Sequence, residues 1–326
     1  MTGLSDSFQR PINYLRISVT DRCNLRCVYC IPPEGIELFT KSEILSFEVI
    51  LRVVEASSSL GISKIRLSGG EPLVRSGLTE FISKLAKVPG IDDISLTTNG
   101  ILLKKYAGEL KAAGLRRVNV SLDSLIAEKF RKITRGGELA KALAGLEEAD
   151  KVGLIPVKIN VVVMRGVNDD EIIDFCLRSK AGWNVRFIEL MPMTKEDGKE
   201  KLITINEIQQ TIEERLGKLQ PGPKIVGNGP ARYFKLDNSL GTIGFISPVS
   251  EHFCIGCNRL RLTSYGKLCP CLLGDEEIDL KTPLRNGISN EELKEIIKEV
   301  ARAKPERHHL DCGIVPGVRC MSQIGG

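Results

Sequence analysis

Seven of the ten cysteines fall into two groups whose spacing is that of metal ligands. Cys23, Cys27 and Cys30 form C-x3-C-x2-C within eight residues. Three thiolates on one loop can hold three irons of a [4Fe-4S] cluster and leave the fourth iron open to a substrate or cofactor. A structural zinc site wants four protein ligands, and no fourth Cys or His lies nearby. Cys254, Cys257, Cys269 and Cys271 lie within eighteen residues. They parse as C-x2-C-x13-C ending at Cys271, a second open site, or as a four-cysteine zinc ribbon that also uses Cys269. Arg259 and Arg261, alternate residues of a short strand, project on one face and bring two anion donors beside this group. A disulfide framework belongs to small secreted domains, and this chain is neither small nor led by a secretory signal. Cys176 reads as core on a helix, and Cys312 and Cys320 take no role. His308 and His309 are adjacent, so their side chains diverge and they read as a solvated pair.

The first group follows directly on a β-branched run, Tyr14–Thr20, and so sits at the C-terminal end of a strand, the face where β/α barrels carry their sites. Five more such runs follow: Lys64–Ser68, Asp93–Thr98, Arg117–Leu122, Val157–Val163 and Val185–Leu190. Helical patterns lie between them at Ser42–Leu60, Leu78–Val88, Leu102–Ala113, Glu138–Val152 and Asp169–Lys180, the first opened by Thr40 and Glu43 at capping-box spacing. Alternating strands and helices predict a parallel sheet with helical cover, a partial (β/α)6 barrel or an open doubly wound sheet. Past the charged loop after Met191 comes a helix, Ile205–Leu216, and then a Gly- and Pro-rich stretch. We place a boundary near 220, giving domains 1–220 and 221–326. The second part is a smaller α+β domain with strands at Arg232–Leu236, Gly241–Ile246 and Arg259–Thr263, a helix at Asn290–Ala303 and a Gly-Gly end.

Arg16, Arg66, Lys158 and Arg186 interrupt apolar strands, and burying an unpaired cation is costly. Either each snorkels to solvent or a rim carboxylate, or together they line a wet lumen that takes a polyanion. With 46 basic and 41 acidic side chains, the net charge of +5 is too dispersed for a nucleic-acid stripe. No run of about 18 apolar residues exists to span a membrane, and the N-terminus has no apolar signal region. The expected location is cytoplasmic. GGELAKALAG lacks G-x-G-x-x-G, so a nicotinamide site has no support.

C-x3-C-x2-C with Tyr29 before its last cysteine resembles the signature of radical S-adenosylmethionine enzymes, and SGGEPL (Ser68–Leu73) resembles their GGEP loop. With LTTNG, the C-x2-C-N-R-L-R-L segment and the terminal Gly-Gly, the chain from about Tyr14 to Gly326 is similar to the GTP 3',8-cyclase family of molybdenum cofactor biosynthesis. The resemblance implies a partial (β/α)6 TIM-like barrel closed by the C-terminal domain, and two [4Fe-4S] clusters, on Cys23, Cys27 and Cys30 and on Cys254, Cys257 and Cys271. It implies S-adenosylmethionine beside Tyr29, Gly70, Ser121 and Met191. GTP is implied on Arg16, Arg66, Thr97, Lys158, Arg259 and Arg261, with Arg16, Gly325 and Gly326 in the catalytic step. Arg186 joins the GTP set on the burial argument. The implied partners are cyclic pyranopterin monophosphate synthase, which consumes the product, and an electron donor such as flavodoxin or ferredoxin. A homodimer is expected, without membrane or nucleic acid. A radical peptide maturase with an auxiliary cluster would not need the basic lumen, and a zinc-ribbon protein would bind zinc alone.

Overall fold

The computed structural model describes residues 3–192, 199–223, 225–227, 229–310 and 321–325. Gly326, Cys312 and Cys320 therefore lie outside the described residues. Six parallel strands follow one another in chain order: β1 (Tyr14–Ser18), β2 (Lys64–Ser68), β3 (Asp93–Thr98), β4 (Arg117–Ser121), β5 (Lys158–Val163) and β6 (Asn184–Glu189). They alternate with α1 (Phe47–Ser59), α2 (Leu78–Leu85), α3 (Leu103–Ala112), α4 (Ala127–Thr134), α5 (Leu139–Lys151) and α6 (Ile172–Lys180). After α7 (Ile205–Leu216) come β7 (Gln220–Pro221), β8 (Arg232–Lys235), β9 (Thr242–Ile246), β10 (Arg259–Leu262), β11 (Lys267–Cys269) and β12 (Ile278–Asp279), then α8 (Lys281–Arg285), α9 (Asn290–Arg302) and α10 (Met321–Ile324).

The strands after 220 extend the same sheet at both edges, in the order β12-β11-β10-β1-β2-β3-β4-β5-β6-β9-β8-β7. β10 lies parallel to β1 and β9 parallel to β6, so eight contiguous strands run parallel. The sheet does not close, its edges being β12 and β7, and the segment joining β9 to β10 carries Cys254 and Cys257.

Strand alternation sorts the side chains into two layers. Leu15, Ile17, Ile65, Leu67, Val118, Val120, Phe187 and Phe245 are buried in the main core. The alternate positions are polar: Arg16 pairs in register with both Arg66 and Arg261, Thr97 with Asn119, and Arg186 with Asn160. Burying apolar area at about 25 cal/mol per Å² makes the first layer the source of stability and leaves the second free for chemistry.

Two local expectations are corrected. Thr40 and Glu43 do bond one another, but as an isolated turn. The Leu45 N–H donates to Ser264 O at 2.8 Å, which draws the chain away, and α1 starts only after Ser46, whose hydroxyl accepts from Val49 N. The short helix α4 was not anticipated, since its eight residues expose a charged face and bury only Phe130, Ile133 and Thr134.

Candidate active site

The loop after β1 is fixed by close backbone approach. A Cβ on Gly70 would lie 2.3 Å from Arg22 O, and one on Gly69 2.5 Å from Thr20 O, while Gly70 N donates to Thr20 O at 2.7 Å. Only glycine allows the turn after β2 to lie against residues 20–22, and this contact sets where Cys23 begins the cysteine loop. Cys30 N and Ile31 N both donate to Cys27 O, which folds the loop back on itself.

Cys23, Cys27 and Cys30 are half-buried, in no disulfide, and all three line one cavity. Burial raises Cys23 to about 11, and burial followed by the Asp123 charge raises Cys27 well above its ordinary value. Such thiols are neutral without metal and become thiolates on coordination. Three one-atom donors on one loop suit a [4Fe-4S] cluster with one open iron. Glu71, buried and raised to about 7 by desolvation, accepts from Leu73 N, Thr98 Oγ1 and Asn99 N. The Asn99 amide in turn reaches Cys23 Sγ at 3.9 Å. Tyr29 donates its hydroxyl to Asp123 Oδ2 at 2.7 Å, and Asp123 Oδ1 accepts from Val162 N at 2.8 Å. Burial lifts Asp123 to about 6. Asp123, Glu71 and Asn99 are site residues that sequence reasoning passed over. Asn99 lies inside LTTNG and Glu71 inside SGGEPL, so motif position was the available signal.

Tyr29, Gly70, Ser121 and Met191 line the same cavity, as do Arg16, Arg66, Thr97, Arg186, Arg259 and Arg261. Arg66 donates to Tyr14 Oη and, at 3.3 Å, to Thr97 Oγ1; Arg186 donates to Asn160 Oδ1 at 2.5 Å. Among the described residues, Arg66, Lys158 and Arg186 form no ion pair, so the reading in which each reaches a rim carboxylate does not hold for them. Among the described residues, the buried Nε atoms of Arg186 and Arg259, Oγ of Ser68 and Oδ1 of Asn119 have no hydrogen-bond partner. Desolvation and then Arg259 lower Arg261 to about 10, and desolvation with Arg261 lowers Arg16. This is the electrostatics of a lumen made to receive a polyanion. Lys158 is placed beneath the cavity lining, buried, donating to Val226 O.

Cys254, Cys257 and Cys271 sit outside the lining, but Phe253 and Leu272, their chain neighbours, lie on it. The Cys257 and Cys271 thiols both act on Cys254. Against the burial that raises it, the Arg259 and Lys304 charges bring Cys257 down to about 7. Cys269 is buried opposite Arg261, with its sulfur 3.9 Å from Glu277 Oε1. Gly325 lies in the lumen: its φ is +72°, its carbonyl accepts from Arg261 Nη1 at 2.8 Å, and a Cβ there would sit 2.6 Å from Ser68 Oγ. The expectation of a solvated His308–His309 pair is corrected. His309 is exposed, but His308 is buried with Nε2 3.3 Å from His252 Nδ1, and both rings adjoin Cys254.

The Radical SAM superfamily model matches residues 17–178, and the Molybdenum Cofactor Synthesis C model residues 183–310. The GTP 3',8-cyclase of Desulforamulus reducens is 52% identical over 324 residues, 98% of this chain and 99% of that protein. That of Thermodesulfovibrio yellowstonii is 52% identical over 328 residues, 99% of this chain and 100% of that protein. Among solved structures, Streptococcus suis SuiB superposes with a TM-score of 0.60 at 14% identity, over 92% of this chain and 68% of that one. That likeness is one of fold. Sharing half its residues with these enzymes along nearly its whole length, the chain belongs to the GTP 3',8-cyclase family of the radical SAM superfamily.

Proposed function

We propose that this chain converts GTP to (8S)-3',8-cyclo-7,8-dihydroguanosine 5'-triphosphate, the first step of molybdenum cofactor biosynthesis. The observation that carries the reading is a single lumen lined by five arginines and by Cys23, Cys27 and Cys30, with Phe253 and Leu272, chain neighbours of the second cysteine group, on its wall. Cys23, Cys27 and Cys30 hold one [4Fe-4S] cluster, and Cys254, Cys257 and Cys271 the other. Bound there with S-adenosylmethionine, the first cluster would supply the one-electron chemistry for moving the ribose C3' hydrogen to the adenosyl carbon and joining C3' to C8 of the base.

The chain's own residues bind, orient and shield. Gly70, Ser121, Met191 and Tyr29, the last held by Asp123, shape the S-adenosylmethionine side of the lumen. Arg66, Thr97, Lys158, Arg186, Arg259 and Arg261 take GTP, whose triphosphate supplies a counter-charge to the arginines. Arg16 and Gly325, whose carbonyl accepts from Arg261 Nη1, serve the catalytic step, and Gly326 is assigned to the same step on the family resemblance. Fixed donors lining the cavity hold the reacting atoms in place at little cost in reorganisation. Residues 221–326 act as the unit that contributes the second cluster and the tail. No helix among the described residues is long and apolar enough to cross a membrane; a cytoplasmic location is part of the proposal. A homodimer, a flavodoxin or ferredoxin as donor, and cyclic pyranopterin monophosphate synthase as the consumer of product complete the proposal.

Anaerobic metal analysis tests it: roughly eight irons per chain, four per cluster, are expected. Serine at Cys23, Cys27 or Cys30 should remove S-adenosylmethionine cleavage, and serine at Cys254 or Cys257 should leave cleavage uncoupled from product. Stoichiometric zinc with negligible iron would overturn the reading.

A further inference from the structure

Lys304, just beyond α9, is a buried ammonium for which the reaction has no use so far. It is 3% exposed. Its Nζ donates to Arg259 O at 2.9 Å and to Pro270 O at 2.6 Å, and its charge acts on the Cys257 thiol. It forms no ion pair with a carboxylate among the described residues. Burying an ammonium without a counter-charge is costly, and two carbonyls bring only dipoles. The Cys257 sulfur, on which the Lys304 charge acts, carries a negative charge as a metal-bound thiolate.

The two carbonyls matter for another reason. Arg259 follows Cys257 by two residues and Pro270 immediately precedes Cys271, so one ammonium ties the segment bearing two ligands to the segment bearing the third. Four residues further on, the His308 backbone N–H donates to Cys254. The Lys304–His308 segment is itself held from outside. Arg10 donates to Pro305 O at 2.6 Å, Glu306 O at 2.8 Å and Cys254 O at 2.9 Å, with Asp6 as its ion-pair partner.

We propose that Lys304 is a positioning residue of the second cluster, raising its reduction potential through a nearby positive charge while clipping its two ligand segments together. The proposal rests on the reading of Cys254, Cys257 and Cys271 as ligands. Reduction adds one electron to the cluster from an external one-electron donor and breaks no bond. The added negative charge develops beside the Lys304 ammonium, which stabilises the reduced form more than the oxidised one.

The test is a dithionite titration of the anaerobically reconstituted full chain, followed by electron paramagnetic resonance. Serine at Cys23, Cys27 and Cys30 would isolate the second signal. Lys304→Met should move the midpoint potential of that cluster to more negative values and speed iron loss to a chelator, and Lys304→Arg should recover most of both. An unmoved potential in Lys304→Met at full iron content would overturn the proposal. Should Lys304→Met fail to keep the cluster, retention by Lys304→Arg with the same circular dichroism as the parent supports the proposal. Loss of the cluster or a lowered melting point in both variants alike would show a merely structural lysine and refute it. A parent chain with no second signal would remove the ligand reading itself, a result distinct from an unmoved potential.

Discussion

Lys158 carries a proton balance that GTP should change. Burial first, and then the charges of Arg186, Arg117 and Arg66, lower its ammonium from the ordinary 10.5 to about 6, with Asp93 acting the other way. At pH 8, two units above that value, roughly one Lys158 in a hundred is protonated in the GTP-free protein. A bound triphosphate favours the charged form, so GTP binding at pH 8 should take up close to one proton, and less as pH falls through 6. The last phosphate proton leaves near pH 6 and adds little at pH 8. From this group alone, GTP affinity should fall about tenfold per pH unit above 6, about 1.4 kcal/mol. Stability follows the same linkage: between about 6 and 10.5 the unfolded chain binds more protons than the folded one, so the GTP-free protein gains stability as pH rises through that window. Anaerobic titration calorimetry in buffers of different ionisation heat counts the protons. Lys158→Met should bind GTP without uptake. Absence of uptake by the parent at pH 8, or equal uptake by Lys158→Met, would refute the reasoning.

Gly70→Ala must displace Arg22 O, 2.3 Å from the new methyl. A cost of about 1 to 3 kcal/mol, as for overpacking, should appear as a lower melting temperature, together with weaker S-adenosylmethionine binding. Cys271→Ser should lose the second cluster's iron while Cys269→Ser, whose thiol lies beside Glu277, should keep it; iron analysis decides between them. Removing Gly325 and Gly326 takes away the acceptor of Arg261 in the lumen. Chromatographic assay of that truncated chain should find both clusters and S-adenosylmethionine binding intact, with most of the cyclised product gone.

The strand-helix alternation and the cation-bearing strands were legible because each is a local pattern of side-chain type, with period two in the strands and about 3.6 in the helices. Arg16, Arg66 and Arg186 do face one lumen, as their position between apolar neighbours implied. Pairing of β10 with β1 was not legible: it joins segments some 245 residues apart, Tyr14 to Arg259, and no local pattern records that. Asp123 escaped notice for the same reason, since its partner Tyr29 is 94 residues away. His308 was misjudged because adjacency says only that two side chains diverge, not which one turns inward. The start of α1 was misplaced because Leu45 is claimed by a distant carbonyl, Ser264 O, against a good local capping signal.

The central claim is that one lumen brings the ribose C3' of GTP to a carbon radical drawn from S-adenosylmethionine. GTP deuterated at C3', incubated anaerobically with the reconstituted chain, S-adenosylmethionine and dithionite, tests it by mass spectrometry of the products. The account predicts deuterium in the 5'-deoxyadenosine and a cyclised nucleotide formed in matching amount. Unlabelled 5'-deoxyadenosine with GTP recovered unchanged would contradict it.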